Sequence, residues 1–344
     1  MSELTLLGDQ TTPRENNYLR LKQNKDIIQL IKFIINPALE LDTTVNSYIN
    51  IWTDENGKAI GTCYTAKNGT LLYVKDFVAT PQQLFPELTD RHLKLLIHLL
   101  SQDEQTVTFS VSRFNADCGL KKYSQTAKRH YNLLEDLLKY QIAYGNNGEQ
   151  IKDANKKNYN ENKNEITFKP VILLKSVTYN MTEKTSNNEG LMITHTEVTT
   201  KLSRAKLELC DIFTSQNRGL MFYHKDLLKL KQNSRTKLAA VSIAFNIYYL
   251  QSVNSKKKQE NKVVYNISTI LGWIGVYEGK YLNFFEKGQK RGVSFFVEKL
   301  NTYFKELENL DIYAKFINME KDVNKFYNKT QVEFNISDLK NHFN

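Results

Sequence analysis

Two clusters of side chains offer chemistry aimed at an anionic polymer. The first is Lys121, Lys122, Tyr123, Ser124, Gln125, Lys128 and Arg129, and no acidic residue lies between Gly119 and His130. The second is Lys287, Gln289, Lys290, Arg291 and Ser294, with Glu286 as a partial offset. Each cluster stands at the start of a segment with helical apolar spacing. A helix start presents unpaired N–H groups and the positive end of the backbone dipole, so cations and hydroxyls there suit phosphate. Arg and Lys donate to guanine edges, and Gln pairs with adenine. Singly, a pair such as Lys121-Lys122 more often ends as solvated surface. The recurrence of two clusters at equivalent places favours DNA contact. A basic run from Arg218 to Lys237, with Asp226 its one acid, and Lys256-Lys257-Lys258 also suit phosphate, although the latter reads more readily as a solvated turn.

Bond-making chemistry has less to stand on. His92, His98, His130, His195, His224 and His342 form no pair at metal-ligand spacing. His92 and His98 share one helical segment but sit six apart, on different faces. The stretch Gly272 to Lys280 has the wrong glycine spacing for a phosphate loop, and Tyr281 stands where a magnesium-binding Ser or Thr is required. Cys63, Cys118 and Cys210 are far apart and odd in number, which fits neither a disulfide framework nor a zinc site. The expectation is no enzyme, no cofactor and no metal. The histidines are read as surface or half-buried residues, and Trp52 and Trp273 as core.

The whole chain sets the frame. Its 344 residues correspond to about two domains. With 41% hydrophobic and 24% charged residues it has enough apolar surface for a core. The net charge of +10 is moderately basic, so the position of the charge decides between a solvated surface and a nucleic-acid binder. No apolar run approaches the ~20 residues needed to cross a bilayer, and no signal-peptide pattern opens the chain. The expected compartment is the reducing cytoplasm.

Apolar periodicity predicts the elements. Asp26 to Ile35 reads as a short helix ended by Pro37. Ser47–Thr53, Ala59–Ala66 and Leu71–Phe77 read as an antiparallel β-meander turned at Asn56-Gly57 and Asn68-Gly69. From Pro86 the pattern changes: helix Thr89–Leu100, strand Thr106–Val111, short helix Ser112–Gly119, long helix Ser124–Tyr140, strand Gln141–Tyr144, a polar loop to Asn164, and one or two strands over Glu165–Tyr179. The second half repeats the order. It opens with helices over Val198–Ser215 and Arg235–Gln251. Strand Val263–Ile267, short helix Thr269–Ile274 and long helix Gly288–Leu310 follow. Strands Ile312–Asn318 and Gln331–Ile336 flank a polar loop Glu320–Lys329. The division is an N-terminal helix and meander over 1–85, units over 86–180 and 201–344, and a linker over 181–200.

The repeat is visible when "QTVTFSVSRFNADCGL" is laid beside "NKVVYNISTILGWIGV", and "YSQTAKRHYNLLEDLLKYQIAYG" beside "GQKRGVSFFVEKLNTYFKELENLDIYAKF". The match is one of pattern, and its order is that of a winged helix-turn-helix, used twice. The fold class expected is therefore α+β: two tandem winged helix-turn-helix domains preceded by a short helix and a small antiparallel β-meander.

On "LTDRHLKLLIHLL", "SRFNADCGLKKYSQTAKRHYNLLEDL" and "RGVSFFVEKLNTYFKEL", residues 86–340 resemble the tandem winged-helix replication initiators of plasmids and some phages. The resemblance implies sequence-specific binding of double-stranded DNA at origin repeats, with host replication proteins and a homodimer as further partners. It implies no metal or nucleotide chemistry in the chain. The sequence departs from the family in its N-terminal helix and meander, and in an insertion (Val276–Lys287) ahead of the second long helix. The competing readings are a transcriptional regulator on the same fold, and a protein-interaction module of a mobile element without DNA affinity.

Overall fold

The computed structural model describes residues 18–23, 31–33, 41–44, 48–67, 71–81, 83–102, 104–120, 125–144, 167–187, 194–210, 219–230, 240–253, 262–286 and 292–336. In chain order, β1 (Tyr18–Gln23) comes first, then a helical stretch at residues 31–33 that buries Ile31 and Phe33. The rest of the helix expected over Asp26–Ile35 lies outside the described residues. The meander follows as β2 (Ile49–Thr53), β3 (Ala59–Thr65) and β4 (Leu71–Lys75). Its first turn is built by Asp54, whose carboxylate accepts the Asn56 and Lys58 N–H groups, while Gly57 takes a positive φ of 77°.

Next come α1 (Asp90–Leu100), β5 (Thr106–Ser110), α2 (Val111–Asp117), α3 (Gln125–Leu138), β6 (Tyr140–Tyr144), β7 (Thr167–Pro170), β8 (Ile172–Asn187), β9 (Thr194–Leu209) and β10 (Gly219–His224). A 3₁₀ turn (Lys225–Lys229) leads on to α4 (Ala240–Val253), β11 (Lys262–Asn266), α5 (Ile267–Trp273), α6 (Glu278–Glu286), α7 (Gly292–Leu307), β12 (Ile312–Ile317), α8 (Val323–Lys329) and β13 (Gln331–Ile336). The fold is mixed α+β, and its described strands pair antiparallel.

The meander does not stand alone. It continues through β6 and β7 into a five-stranded sheet, β2-β3-β4-β6-β7. That sheet curls strongly. Trp52 on one edge strand and Phe168 on the other bring their rings to 5.0 Å, and both cover Tyr73. The strands read as closing the first unit, Gln141–Tyr144 and the start of Glu165–Tyr179, therefore belong to this sheet.

The first unit instead takes its sheet from further along the chain, in the order β5-β9-β8. Here the expectation of a helix over Val198–Ser215 is overturned. Residues 194–209 are strand β9, paired along its length with β8. The register explains the misreading. Thr178 pairs with Arg204 and Tyr179 with Leu202, so Ser203 is an extra residue. The bulge flips the side-chain parity, and the buried residues become Leu202, Ala205, Leu207 and Leu209. That spacing contains i, i+3 and i+7, which imitates a helix. The same hairpin contains residues 181–187 and 194–200, read from sequence as a linker.

The second unit has the sheet order β11-β13-β12. In both units the strand before the short helix pairs with the last strand, and that last strand is central. The polar loop expected over Glu320–Lys329 is also corrected: it holds α8, capped by Asp322, whose Oδ1 accepts the Lys325 N–H at 2.9 Å. The insertion before the second long helix holds α6.

One hydrophobic cluster runs through both units. At its centre lies α4, where Ala240 through Tyr249 are all buried. A helix apolar on every side is a core helix. It packs against α1, β10, α5 and α7.

Candidate nucleic-acid interface

The two units repeat most closely where a strand hands over to a helix and the helix to a turn. β5 and α2 recur as β11 and α5 with equal lengths, 156 positions later (262 − 106 and 267 − 111). Both short helices end the same way. In the first, Gly119 has φ 63°, its N–H donates to the Ala116 carbonyl, and the Leu120 N–H donates to the Asn115 carbonyl at 2.7 Å. In the second, Gly275 has φ 76°, its N–H donates to the Gly272 carbonyl, and the Val276 N–H donates to the Leu271 carbonyl at 2.8 Å. Each is a paired 6→1 and 5→2 closure on a left-handed residue, which ends a helix sharply and turns the chain. A Cβ at either glycine meets the steric penalty of positive φ.

Side chains on α1 hold the first turn in place. The His98 Nδ1 lies 2.8 Å from the Asp117 carboxylate at the end of α2, and its ring meets Phe109 and Phe114 edge-on. Burial pushes this imidazole below its ordinary value, against the opposing pull of Asp117. His92 faces the other way. Its Nδ1 accepts the Thr89 N–H at 3.0 Å, which leaves Nε2 to donate to Asp136 of α3 at 3.3 Å. That hydrogen bond, with Lys139 at 3.1 Å, holds the Asp136 carboxyl below the usual carboxylate range. The six-residue spacing thus lets one helix grip two others. The reading of the histidines as surface or half-buried is wrong for His92, His98 and His224, which are buried. In the second unit the equivalent tie is Ser242 of α4, whose hydroxyl donates to the Trp273 carbonyl at 2.6 Å. Trp273 is core, and Trp52 is half-buried in the curled sheet.

Of the residues read as DNA contacts, Lys121, Lys122, Tyr123, Ser124, Lys287, Gln289, Lys290 and Arg291 lie outside the described residues. Gln125, Lys128 and Arg129 fall in the first turns of α3. Ser294 is exposed in the first turn of α7. Neither helix carries an acidic residue in its first turn.

A further basic element was missed. On α8 the residues Phe326 and Tyr327 are buried, while Lys325 and Lys329, together with Lys321 just before the helix, are exposed. Spacing of four puts Lys325 and Lys329 on one face of the helix, about 6 Å apart along its axis, with Lys321 just ahead of the cap. The anchoring of α8 is firm: the Tyr281 hydroxyl on α6 donates to the Val323 carbonyl at 2.9 Å, and the Tyr281 and Tyr327 rings lie 4.9 Å apart. The signals in the sequence were Asp322 as a cap and the lysine spacing itself.

Among the described residues no group of three or more His, Cys, Asp or Glu side chains is placed to hold a metal ion. Burial raises the thiols of Cys63 and Cys118 to about 12. Among the described residues no helix is long and apolar enough to cross a membrane.

No protein-family model matches the chain, and no curated protein matches it. Similar solved structures include a crystal structure of selenomethionine derivatives of domains 2 and 3 of RctB, at 9% identity and a TM-score of 0.41. A second crystal structure of RctB domains 2-3 gives 10% identity and a TM-score of 0.40. Each comparison covers 89% of this chain and 98% of the other.

Proposed function

We propose that the chain is a sequence-specific double-stranded DNA-binding protein with two tandem winged helix-turn-helix units, and that it serves replication initiation by reading origin repeats. The observation that carries this reading is the recurrence of one helix–glycine–turn closure at Gly119 and Gly275. In the first unit α3, without first-turn acids, follows directly; in the second, α6, with Glu278 in its first turn, intervenes before α7, which has none. Each unit then adds a hairpin to its own three-stranded sheet. In that arrangement the second helix enters the major groove, the first crosses the backbone and the hairpin lies alongside. Lys128 and Arg129 on α3 are the bases' readers or phosphate ligands of the first unit. Lys321, Lys325 and Lys329 add phosphate contacts in the second. The chain acts by binding, without catalysis, cofactor or metal. A homodimer and host replication proteins complete the assembly. The initiator role rests on the resemblance of the motifs in residues 86–340.

Selection from random duplexes, followed by titration at several salt concentrations, tests the binding. Affinity should fall steeply with salt, and Lys128→Ala with Arg129→Ala should weaken the best site. Salt-insensitive or absent binding removes the proposal in favour of a protein-interaction module. A plasmid carrying the gene with its flanking DNA tests the rest: autonomous replication supports an initiator, and repression without replication supports a transcriptional regulator.

A further inference from the structure

Lys94 sits on α1 with 6% of its surface exposed. Its ammonium donates to the carbonyl of Leu230, the residue that ends the 3₁₀ turn before the second unit. Leu227, Leu228 and Leu230 are themselves buried, so this acceptor is fixed. The titratable groups facing Lys94 come from both units: the charged Asp90 and Arg91 on its own helix, the neutral thiol of Cys118 beyond α2, and Glu306 on α7. Burial is the largest influence on the amine and lowers its pKa.

A buried cation is costly to desolvate, and an unbranched apolar side chain of similar length would fill the same space without that cost. What the lysine adds is direction. The core shared by the units is apolar; its burial is non-directional, and ridge-into-groove packing leaves a scatter of about 15–20° in the angle. A charge-assisted hydrogen bond narrows it. We infer that Lys94 is a positioning residue that sets the angle between the two units, and through it the spacing of the DNA half-sites that the chain accepts. The second clause rests on the DNA-binding reading; the first does not.

The test has two arms on the full chain. Spin labels at Glu135→Cys on α3 and Asn301→Cys on α7 occupy exposed positions, while the three native cysteines are buried. With Lys94 present the inter-label distance should be narrowly distributed. Lys94→Met should keep the circular dichroism and melting behaviour of the parent but shift or broaden that distance. An unchanged distribution overturns the inference. Should Lys94→Met fail to fold, Lys94→Gln, too short to reach the Leu230 carbonyl, carries the same readout. In the second arm, half-sites are separated by added or removed base pairs. Lys94→Met should lose about tenfold at the preferred spacing, keep half-site affinity and discriminate less between spacings. A loosened distance with unchanged spacing preference overturns the specificity role alone. If the parent binds no duplex, the DNA reading fails, while the label distance still decides whether Lys94 sets the angle.

Discussion

At the scale of single residues, two positions show how local chemistry shapes the molecule. Gly61 on β3 lies under the ring of Tyr73. A Cβ there would sit 2.5 Å from three ring and hydroxyl atoms. The ring has little room to yield, because its hydroxyl donates to the Ile60 carbonyl at 2.9 Å and Trp52 and Phe168 cover it. Gly61→Ala should therefore destabilise by about 1–3 kcal/mol, read as a lower denaturant midpoint. Tyr73→Leu in the same chain should make the alanine nearly neutral, because it removes the clash. His98 sets a pH dependence. Its folded pKa is lowered by burial from the ordinary 6.5, so the unfolded chain binds the proton first. Stability is fully present above the unfolded pKa and is lost as pH falls through the folded one. The buried His224 shifts the same way, again chiefly through burial. Urea midpoints should drop from pH about 7 to about 5, with up to about 1.4 kcal/mol per pH unit from each histidine. His98→Gln should flatten that slope; an unchanged slope would mean that His98 does not control it.

At the scale of elements, legibility followed the backbone chemistry. The meander and the short helices were visible because the Asn56-Gly57 turn and the glycine closures demand particular residues at particular places; the turn expected at Asn68-Gly69 lies outside the described residues. Gly119 and Gly275 were equally visible, which made the repeat legible. The β8–β9 hairpin was not: the extra Ser203 converts a period of two into a helix-like spacing. The joining of β6 and β7 to the meander was also hidden, because long-range pairing leaves no local mark. The histidine grips were illegible as well, since their partners Asp117 and Asp136 lie on other helices. Helix α8 escaped because a single buried pair, Phe326 and Tyr327, carries its apolar face. Its exposed lysines, with Lys321 just ahead of it, yield an element-scale prediction. Lys321→Ala, Lys325→Ala and Lys329→Ala should weaken binding evenly across DNA sequences and leave the melting temperature unchanged. Each lost phosphate contact should reduce the slope of log affinity against log salt by about 0.9. A change in sequence preference instead would place α8 against base edges.

At the scale of the whole molecule, the units are not beads on a string. β1 pairs with β10 some two hundred positions later, with Tyr18 opposite His224, so the start of the described chain is stitched to the segment between the units. That segment packs on α4, and α4 joins α1 of the first unit to α7 of the second. Ile247 lies at full burial in the middle of this helix. Truncating it opens a cavity inside the helix against which elements of both units pack. Ile247→Ala should cost about 2–5 kcal/mol. The loss should appear as one cooperative transition displaced to lower denaturant, not as a second transition split from the first. Hydrogen exchange should report the same coupling: the amides of β5 and β9 should lose protection together with those of β11 and β13. If only the second unit's amides loosen, each unit closes its own core, and α4 belongs to one of them.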